Sequence, residues 1–546
     1  MTEALSIAAV SLYAIVLALL MPFAGHRLTL LWLARRGGGG AVRRQAGGPP
    51  PPPADPPTPP RVTVQLPVYN EKHVIERLID AACRLSHPRT HLQIQVLDDS
   101  TDETTMLARR RARAWRRKGV DITVHHRKVR TGYKAGALAA GLESATGEYI
   151  LILDADFVPR PDLLEALLPS MADPGVGMVQ ARWDHLNEQH SWLTRAQALL
   201  LDGHFFLEQR GRYLGGRFFN FNGTAGLWRR QALADAGGWQ SDTLTEDLDI
   251  SYRAQMAGWR FVLRDDVGVP AELPATPASL LVQQRRWAQG GVQTARKLLP
   301  RVLRGPWRPA VKFESFVHLC GHLAHPLTFA LSLLVVPAAL ARRTLAIDRL
   351  WWLDLALFLA ATAPFIVFYW TAARRRGRAK GAAARGVAGA LALAAGLSVL
   401  LSGAVLRGLG RARDPFHRTP KTGSAARSSY EPRGGDFRGR RLVLGAGAFM
   451  VAAGAVAIAT GHWGSLPFVG LFAAGYLAVG LGAGVRRAPG LRVSASARPG
   501  QSAPATPQEH QPHGHPDRRP VPERLWPDSG DLVGSETPVA EEDEAA

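Results

Sequence analysis

Residues 149–156 read YILILDAD, an apolar run that ends in two carboxylates separated by one small residue. An apolar run of this length predicts a buried strand over 149–153. The alternating, β-branched stretch 62–66 predicts an earlier strand, and two more strands are predicted at 92–97 and 121–125. Helical patterns lie between them, near 74–82, after residue 100 and near 134–145. Strands that alternate with helices predict a mostly parallel sheet with crossover connections.

Polar and acidic loops follow three of the predicted strands. The loop PVYNE at 67–71 follows the first strand, and its Asn70 is expected to cap the next helix. Asp98-Asp99-Ser100 follows the second strand, and Asp154 and Asp156 follow the fourth. Ligands of open parallel sheets bind beyond the carboxyl ends of the strands, so these loops predict one shared ligand site. Taken singly, Asp98-Asp99-Ser100 could be a turn and helix cap, and the loop with Asp154 and Asp156 could be a solvated loop.

Two motifs farther along the chain carry groups suited to phosphate and sugar chemistry. Glu246 and Asp247 stand just before a predicted helix, where a carboxylate either favours the helix N-terminus or acts as a general base. The stretch QQRRW at 283–287 offers guanidinium groups for phosphate and an indole face for stacking on a sugar, or else forms an amphipathic interface helix. Asp154 and Asp156 suit Mg²⁺, which usually takes one or two protein carboxylates together with substrate phosphates.

The overall composition narrows the class of protein. The chain has 546 residues, with 66 Lys and Arg against 45 Asp and Glu, and a net charge of +21. This balance excludes a disordered acidic chain and fits contact with nucleic acid, anionic lipid or nucleotide phosphate. Cys83 and Cys320 are too few for a disulfide framework, so a reducing compartment is expected. The sequence has no Walker A loop and no cysteine–histidine cluster with zinc spacing.

Hydrophobic segments predict a membrane protein. Residues 4–26 lack a charged side chain and are long enough to span a bilayer, so 1–36 is predicted to be an uncleaved anchor and not a signal peptide. Four further parts are predicted, which are a Gly/Pro-rich linker at 37–60, a soluble α/β domain at 61–310, a membrane domain at 311–486 and a disordered tail at 487–546. The apolar segments of the membrane domain are 315–340, 350–372, 386–407, 442–460 and 466–485.

Arginine-rich loops predict how these segments are oriented. The loops 374–385 and 407–441 are both strongly basic, and basic loops face the cytoplasm. Both ends of 386–407 would then lie on the cytoplasmic side, which predicts an interfacial or re-entrant segment. Five crossings result, with the N-terminus outside and the C-terminus inside. The alternative is that 386–407 spans the membrane against the charge rule.

Taken together, these stretches resemble a known family. The chain resembles the inverting family 2 glycosyltransferases of the cellulose synthase-like group. VQARW at 179–183 and FFNFNGTAGLWRR at 218–230 resemble its glucomannan, or beta-mannan, synthase-like branch. The motifs of the family lie in order over about 61–310, as LPVYNE at 66–71, LDDSTDET at 97–104, TGYKAGAL at 131–138, DAD at 154–156, FNGTAG at 221–226, TED at 245–247 and QQRRW at 283–287. The resemblance implies a cytosolic α/β domain of the GT-A fold, Rossmann-like with a mostly parallel sheet, and a helical transmembrane region.

The resemblance also implies a role for each motif residue. The residues implied to bind the donor nucleotide are Tyr69, Glu71, Asp98 or Asp99, Lys134, Asp154, Gln283 and Arg286. The spacing leaves open whether Asp98 or Asp99 contacts the base. Asp154 and Asp156 would bind Mg²⁺ or Mn²⁺ as the cofactor. Asp247 would be the catalytic base with Glu246 beside it, and Trp287 would stack on the acceptor sugar.

A further resemblance lies beyond the catalytic domain. FHRTPK at 416–421, within the segment 414–423, resembles the gating loop of processive synthases. Arg418 and Pro420 depart from the commonest form of that loop. The alternative is a basic cytoplasmic connector.

The expected function is therefore that of a processive glycosyltransferase that crosses the inner cell membrane several times and has its catalytic domain in the cytoplasm. It would transfer hexose from GDP-mannose or UDP-glucose to a growing β-glycan and export the product. One alternative is a lipid glycosyltransferase of the ceramide type that adds a single sugar. Another is an inactive scaffold that binds sugar nucleotides. Nucleic acid is not an expected partner, and the sequence gives no oligomeric state.

Overall fold

The computed structural model describes residues 2–36, 59–347, 351–410, 418, 419, 421, 423 and 439–482. Residues 37–58 of the predicted linker and the predicted tail at 487–546 lie outside the described residues. Phe416, His417 and Pro420 of the gating-loop-like stretch lie outside them as well.

The soluble domain contains one seven-stranded sheet. Its strands, β1 to β7 in chain order, are Val62–Val68, Leu92–Asp98, Asp121–His126, Tyr149–Ile152, Val176–His185, Gly226–Arg229 and Arg260–Ala271. The helices of this domain are Ile75–Cys83, Thr104–Arg116, Tyr133–Glu143, Leu163–Leu167, Trp192–Gly203, Arg210–Leu214, Arg230–Asp235, Glu246–Met256 and Pro277–Arg304. A π-helical stretch, His204–Gln209, joins the fifth and sixth of these helices.

The strand order places the predicted acidic loops side by side. The order is β3-β2-β1-β4-β6-β5-β7, and β1 pairs in parallel with both β2 and β4. Only β6 runs antiparallel to its neighbours, so the sheet is mostly parallel, as predicted. Because β1, β2 and β4 are parallel neighbours, the loops at their carboxyl ends meet at one edge of the sheet.

Both faces of the sheet are buried, as the apolar run of β4 predicts. Val64 and Leu66 of β1 and Ile150 and Leu151 of β4 are fully buried. Strands of a parallel sheet with helices on both faces read as continuous apolar runs because neither face meets water. The buried centre of the sheet therefore holds the loops at the edge in fixed positions.

The predicted helix cap at Asn70 was wrong. The helix Ile75–Cys83 has no side-chain cap. Asn70 adopts a left-handed backbone with φ 55°. Its side chain accepts a hydrogen bond from the Thr101 backbone N–H (2.8 Å), and its own N–H donates to Ser100 Oγ (2.8 Å). Asn70 thus ties the loop after β1 to the loop after β2, and this non-local pairing takes precedence over local capping.

Six helices in the described residues are long and apolar enough to cross a membrane. They are Glu3–Arg36, Pro309–Thr344, Trp352–Arg375, Lys380–Leu409, Arg440–Ala459 and Trp463–Leu481, and a 3₁₀ turn, Gly321–Leu323, interrupts the second. Their positions match the six predicted apolar segments. Cys83 and Cys320 are both buried free thiols.

Both ends of the helix Lys380–Leu409 lie against the catalytic domain. Just before its start, Arg378 pairs with Glu188 at 2.7 Å. At its end, Arg296 Nη1 donates to the Gly408 carbonyl at 3.4 Å. This helix contains the segment 386–407 that is predicted to be interfacial or re-entrant. That the helix does not cross the membrane stays a prediction.

Candidate active site

One cavity lies beyond the carboxyl ends of β1, β2 and β4. It is lined by every predicted site residue except Asp98, namely Tyr69, Glu71, Asp99, Lys134, Asp154, Asp156, Glu246, Asp247, Gln283, Arg286 and Trp287. The fold supplies them from the three strand-end loops, from the N-termini of the helices Tyr133–Glu143 and Glu246–Met256, and from the helix Pro277–Arg304.

The two neighbouring aspartates after β2 have different surroundings. Asp98 is fully buried, and its carboxylate bonds to His126 Nδ1 (2.8 Å) and accepts from Thr105 Oγ1 (2.6 Å). Asp99 lines the cavity, and its two oxygens accept from Nε and Nη2 of Arg127 at 2.7 and 2.6 Å. Of the two, Asp99 is therefore the one that a ligand in the cavity can meet.

Arg130 forms a flat cationic surface beside Asp99. Its guanidinium lies 3.6 Å from the centre of the Tyr69 ring, and its Nε lies 3.9 Å from Asp99 Oδ2. Stacking of a guanidinium on an aromatic face is favourable, and a stacked guanidinium can also donate hydrogen bonds from its edge. The sequence interpretation missed Arg130, although a basic residue directly before the TGYKAGAL motif was a usable signal.

Lys134 connects the DAD loop with the TED helix. Its Nζ donates to Asp154 Oδ1 (2.6 Å) and to the Gly223 carbonyl (2.8 Å), and it lies 3.9 Å from Glu246 Oε1. Burial opposes the charged ammonium, but the surrounding carboxylates, Asp154 first, outweigh it and raise the pKa of Lys134. Lys134 is therefore a firm positive charge between two acidic motifs.

Asp247 is buried beside a second carboxylate and has an unusual pKa. Burial and then the charge of Glu246 raise the pKa of Asp247 to about 7, although Lys134 acts in the opposite direction. Its Oδ1 accepts a hydrogen bond from the Leu248 N–H at 2.8 Å, which fixes the carboxylate at the helix N-terminus. Gly223 packs so closely that a Cβ there would lie 2.9 Å from Asp247 Oδ2. A base is most effective when its pKa lies near the working pH.

Residues of the gating-loop-like segment reach into the same cavity. Lys421 Nζ donates to Asp156 Oδ2 at 2.7 Å, and Arg418 lies 3.0 Å from Glu71 Oε1. Burial raises the pKa of Glu71 to about 8, against the lowering effect of Arg418 and Lys421. For Lys421, burial opposes the charge but Asp156 prevails and raises the pKa. Arg418 and Lys421 lie in the gating-loop-like stretch, but their contacts with Glu71 and Asp156 were not predicted from the sequence.

Aromatic rings form another wall of the cavity. Trp287 is half-buried, and its ring lies 6.4 Å from that of Trp183 at the end of β5. Phe157, directly after the DAD loop, packs edge-on against Trp183 at 5.4 Å. Such a wall suits the apolar face of a pyranose ring. Trp183 lay in the quoted VQARW stretch but was given no role.

The acidic residues fit a divalent cation that phosphate helps to hold. Asp154 and Asp156 each already bind a cation, the ammonium of Lys134 and of Lys421 respectively. Within the described residues, no group of three or more His, Cys, Asp and Glu could hold a metal without help. Two carboxylates therefore need donor phosphate oxygens to complete the shell, which is the usual arrangement for Mg²⁺.

Comparisons with known proteins agree with this geometry. Residues 59–290 match the family described as "Glycosyltransferase like family 2". The chain is 40% identical over 288 residues to glucomannan 4-beta-mannosyltransferase 7 of Arabidopsis thaliana. This match covers 51% of this chain and 52% of that protein. It is 38% identical over 312 residues to glucomannan 4-beta-mannosyltransferase 1 of Cyamopsis tetragonoloba, covering 56% of this chain and 59% of that protein.

These comparisons cover only part of the relatives. The chain spans about half the length of the curated relatives it matches, 52% in the case of the Arabidopsis protein. A solved mannosyltransferase from Pyrobaculum calidifontis, in complex with GDP-Man and Mn²⁺, is 24% identical with a TM-score of 0.46, over 76% of this chain and all of that chain. Residues 59–290, which contain the seven-stranded sheet, are therefore similar to family 2 glycosyltransferases and, among these, to glucomannan 4-beta-mannosyltransferases.

Proposed function

We propose that this membrane glycosyltransferase transfers a hexose from a nucleoside diphosphate sugar to a growing β-glycan, with inversion, and exports the product through its own helices. One observation carries the proposal, which is that a single cavity joins cationic groups, a carboxylate with a near-neutral pKa and a tryptophan wall. Cations suit a diphosphate, the carboxylate suits deprotonation of a hydroxyl, and the indole suits a sugar ring.

The proposed reaction is a single displacement. Asp247 takes the proton of the acceptor hydroxyl, and that oxygen attacks the anomeric carbon of the donor sugar. The bond from the anomeric carbon to the diphosphate oxygen breaks, and the diphosphate leaves with the electron pair. Gln283 and Arg286 bind the departing diphosphate. Because one displacement occurs on the face opposite the leaving group, the configuration at the anomeric carbon inverts.

Asp154 and Asp156 would hold Mg²⁺ or Mn²⁺ in the donor complex. When bound, such a cation offsets the charge that develops on the leaving diphosphate. The neighbouring Lys134 adds a fixed positive charge that persists without the cation. The ammonium of Lys421, which donates to Asp156 Oδ2, would compete with such a cation for the negative charge of this carboxylate.

For the donor, we propose GDP-mannose in preference to UDP-glucose. Guanine presents two adjacent N–H donors and, on another edge, the acceptors O6 and N7. Asp99 and Arg130 line the cavity together, so such a base in the cavity would face both a carboxylate and a guanidinium. The printed names of the relatives, glucomannan 4-beta-mannosyltransferases, support mannose as the sugar.

For the orientation, we propose that the catalytic domain faces the cytoplasm of a cell whose inner membrane holds the chain. The basic loop around residues 374–378 contacts this domain, and positively charged loops favour the cytoplasmic side. A single cysteine introduced at position 425 should resist a membrane-impermeant thiol reagent in intact cells. Labelling at 425 in intact cells would contradict the orientation and the five-crossing topology.

The function can be tested with the purified full-length protein. Incubation with Mg²⁺ or Mn²⁺ and either GDP-mannose or UDP-glucose, with and without a lipid acceptor, is followed by sizing of the product. A long polymer from GDP-mannose is expected. A single-sugar lipid would instead identify a lipid glycosyltransferase of the ceramide type. No nucleotide release from either donor would contradict enzymatic activity and leave an inactive scaffold.

A further inference from the structure

The helix that carries Trp287 leads from the cavity towards the membrane helices. Gly291 lies one turn beyond Trp287 on the helix Pro277–Arg304, about 6 Å along its axis. Gly291 is buried, and a Cβ placed on it would lie 2.7 Å from Cδ2 of His322. The absence of a side chain at this position therefore lets His322 approach to within one turn of the proposed acceptor site.

His322 belongs to a break in a long apolar helix. The helix Pro309–Cys320 ends, the 3₁₀ turn Gly321–Leu323 follows, and the helix Ala324–Thr344 begins. A 3₁₀ stretch within a helix often marks a functional position. At membrane depth, irregular backbone is tolerated where protein buries it or where it lines a water-filled cavity. All ten residues from 321 to 330 are half-buried, neither sealed in the interior nor open on the surface.

His322 and His325 differ from the other histidines of this region. Their rings stack at 5.7 Å, and neither imidazole has a hydrogen-bond partner within the part of the chain that the structure describes. By contrast, His318 bonds to the Tyr252 hydroxyl at 3.0 Å, and His26 bonds to Glu314 at 2.9 Å. Half-buried imidazole nitrogens without a protein partner can bond to a ligand that supplies hydroxyl groups.

We propose that His322 and His325 form a binding subsite for the glycan acceptor, beyond the sugar ring that stacks on Trp287. A neutral imidazole offers one donor and one acceptor, which matches the hydroxyl groups of a pyranose. The His322 and His325 rings lie 5.7 Å apart, a separation comparable with the length of one sugar ring. This subsite rests on the proposed function, and it specifies an acceptor that is several sugars long.

The test measures how the acceptor KM depends on acceptor length. The full-length protein is assayed with Mn²⁺, with the donor that supports transfer, and with β-1,4-linked mannose oligomers from two to six sugars. For the wild type, the KM is expected to fall about tenfold from the disaccharide to the tetrasaccharide. The double variant His322→Ala/His325→Ala should lose this gain and keep the KM for the donor and for the disaccharide. The double variant His322→Asn/His325→Asn should restore most of the fall in acceptor KM with acceptor length, because the amide keeps a donor and an acceptor.

Controls separate binding from folding. His87, whose imidazole bonds to the Pro60 carbonyl at 2.8 Å on the catalytic domain, offers a matched change, and His87→Ala should behave as the wild type. Unchanged GDP affinity in the alanine variants would show that the catalytic domain is intact. The same length dependence in the double alanine variant as in the wild type would overturn the subsite and leave the proposed function standing. Failure of the wild type to elongate any oligomer would overturn both.

Discussion

Asp247→Asn is expected to abolish hexosyl transfer while leaving nucleotide binding almost unchanged. Asparagine keeps the size of the side chain and can still accept the hydrogen bond from the Leu248 N–H. It cannot take a proton from the acceptor. A positioned general base contributes about 10²- to 10⁴-fold to the rate, so kcat should fall by at least about two orders of magnitude. GDP affinity, measured by calorimetry, should stay within about threefold, because the proposed partner of Asp247 is the acceptor hydroxyl and not the nucleotide.

The pH profile gives the same prediction a second readout. The pKa of Asp247 is raised to about 7, and a base acts only when deprotonated, so wild-type kcat/KM should rise with pH and level off above 7. The residual activity of the asparagine variant should lack this rise. A variant that retains more than a tenth of the wild-type rate, or one that loses GDP binding, would refute the assignment of the base.

Three further predictions concern other residues that line the cavity. Glu246→Gln removes a negative charge that raises the pKa of Asp247, so the acid limb of the kcat/KM profile should move to lower pH; an unmoved limb would show that the two groups do not interact. Lys421→Met removes the ammonium that bonds to Asp156, so Mn²⁺ should bind the donor-free protein severalfold more tightly, as measured by the loss of the free-ion EPR signal. Unchanged or weaker Mn²⁺ binding would contradict the competition between Lys421 and the metal ion for Asp156. Trp287→Ala should raise the acceptor KM about three- to tenfold with the donor KM unchanged, and Trp287→Phe should recover part of the loss.

The elements that local pattern determines could be predicted from the sequence. The strands at 62–68 and 92–98 alternate apolar with polar residues and the strand at 149–152 is an apolar run, and these patterns do not depend on distant residues. The DAD and TED carboxylates were identified because each follows or begins a regular element. The meeting of the DAD loop with the loops at 67–71 and 98–100 follows from the parallel order of β1, β2 and β4.

The contacts made between distant residues were not predictable. Lys421 reaches Asp156 across 265 positions, and nothing in the spacing of either motif specifies that contact. The antiparallel insertion of β6 between β4 and β5 was also missed, since Gly226–Arg229 is short and its direction depends on its neighbours. The choice between Asp98 and Asp99 needed the partner His126, which lies on the next strand.

The central claim is that donor, base and acceptor wall belong to one cavity, and a cryo-EM map of the full-length protein with GDP, Mn²⁺ and mannotetraose tests it most directly. The account predicts metal density between Asp156 and the diphosphate, and sugar density over Trp287 within reach of Asp247. Nucleotide density in a different pocket from Asp247 and Trp287, or metal density away from Asp156, would contradict it.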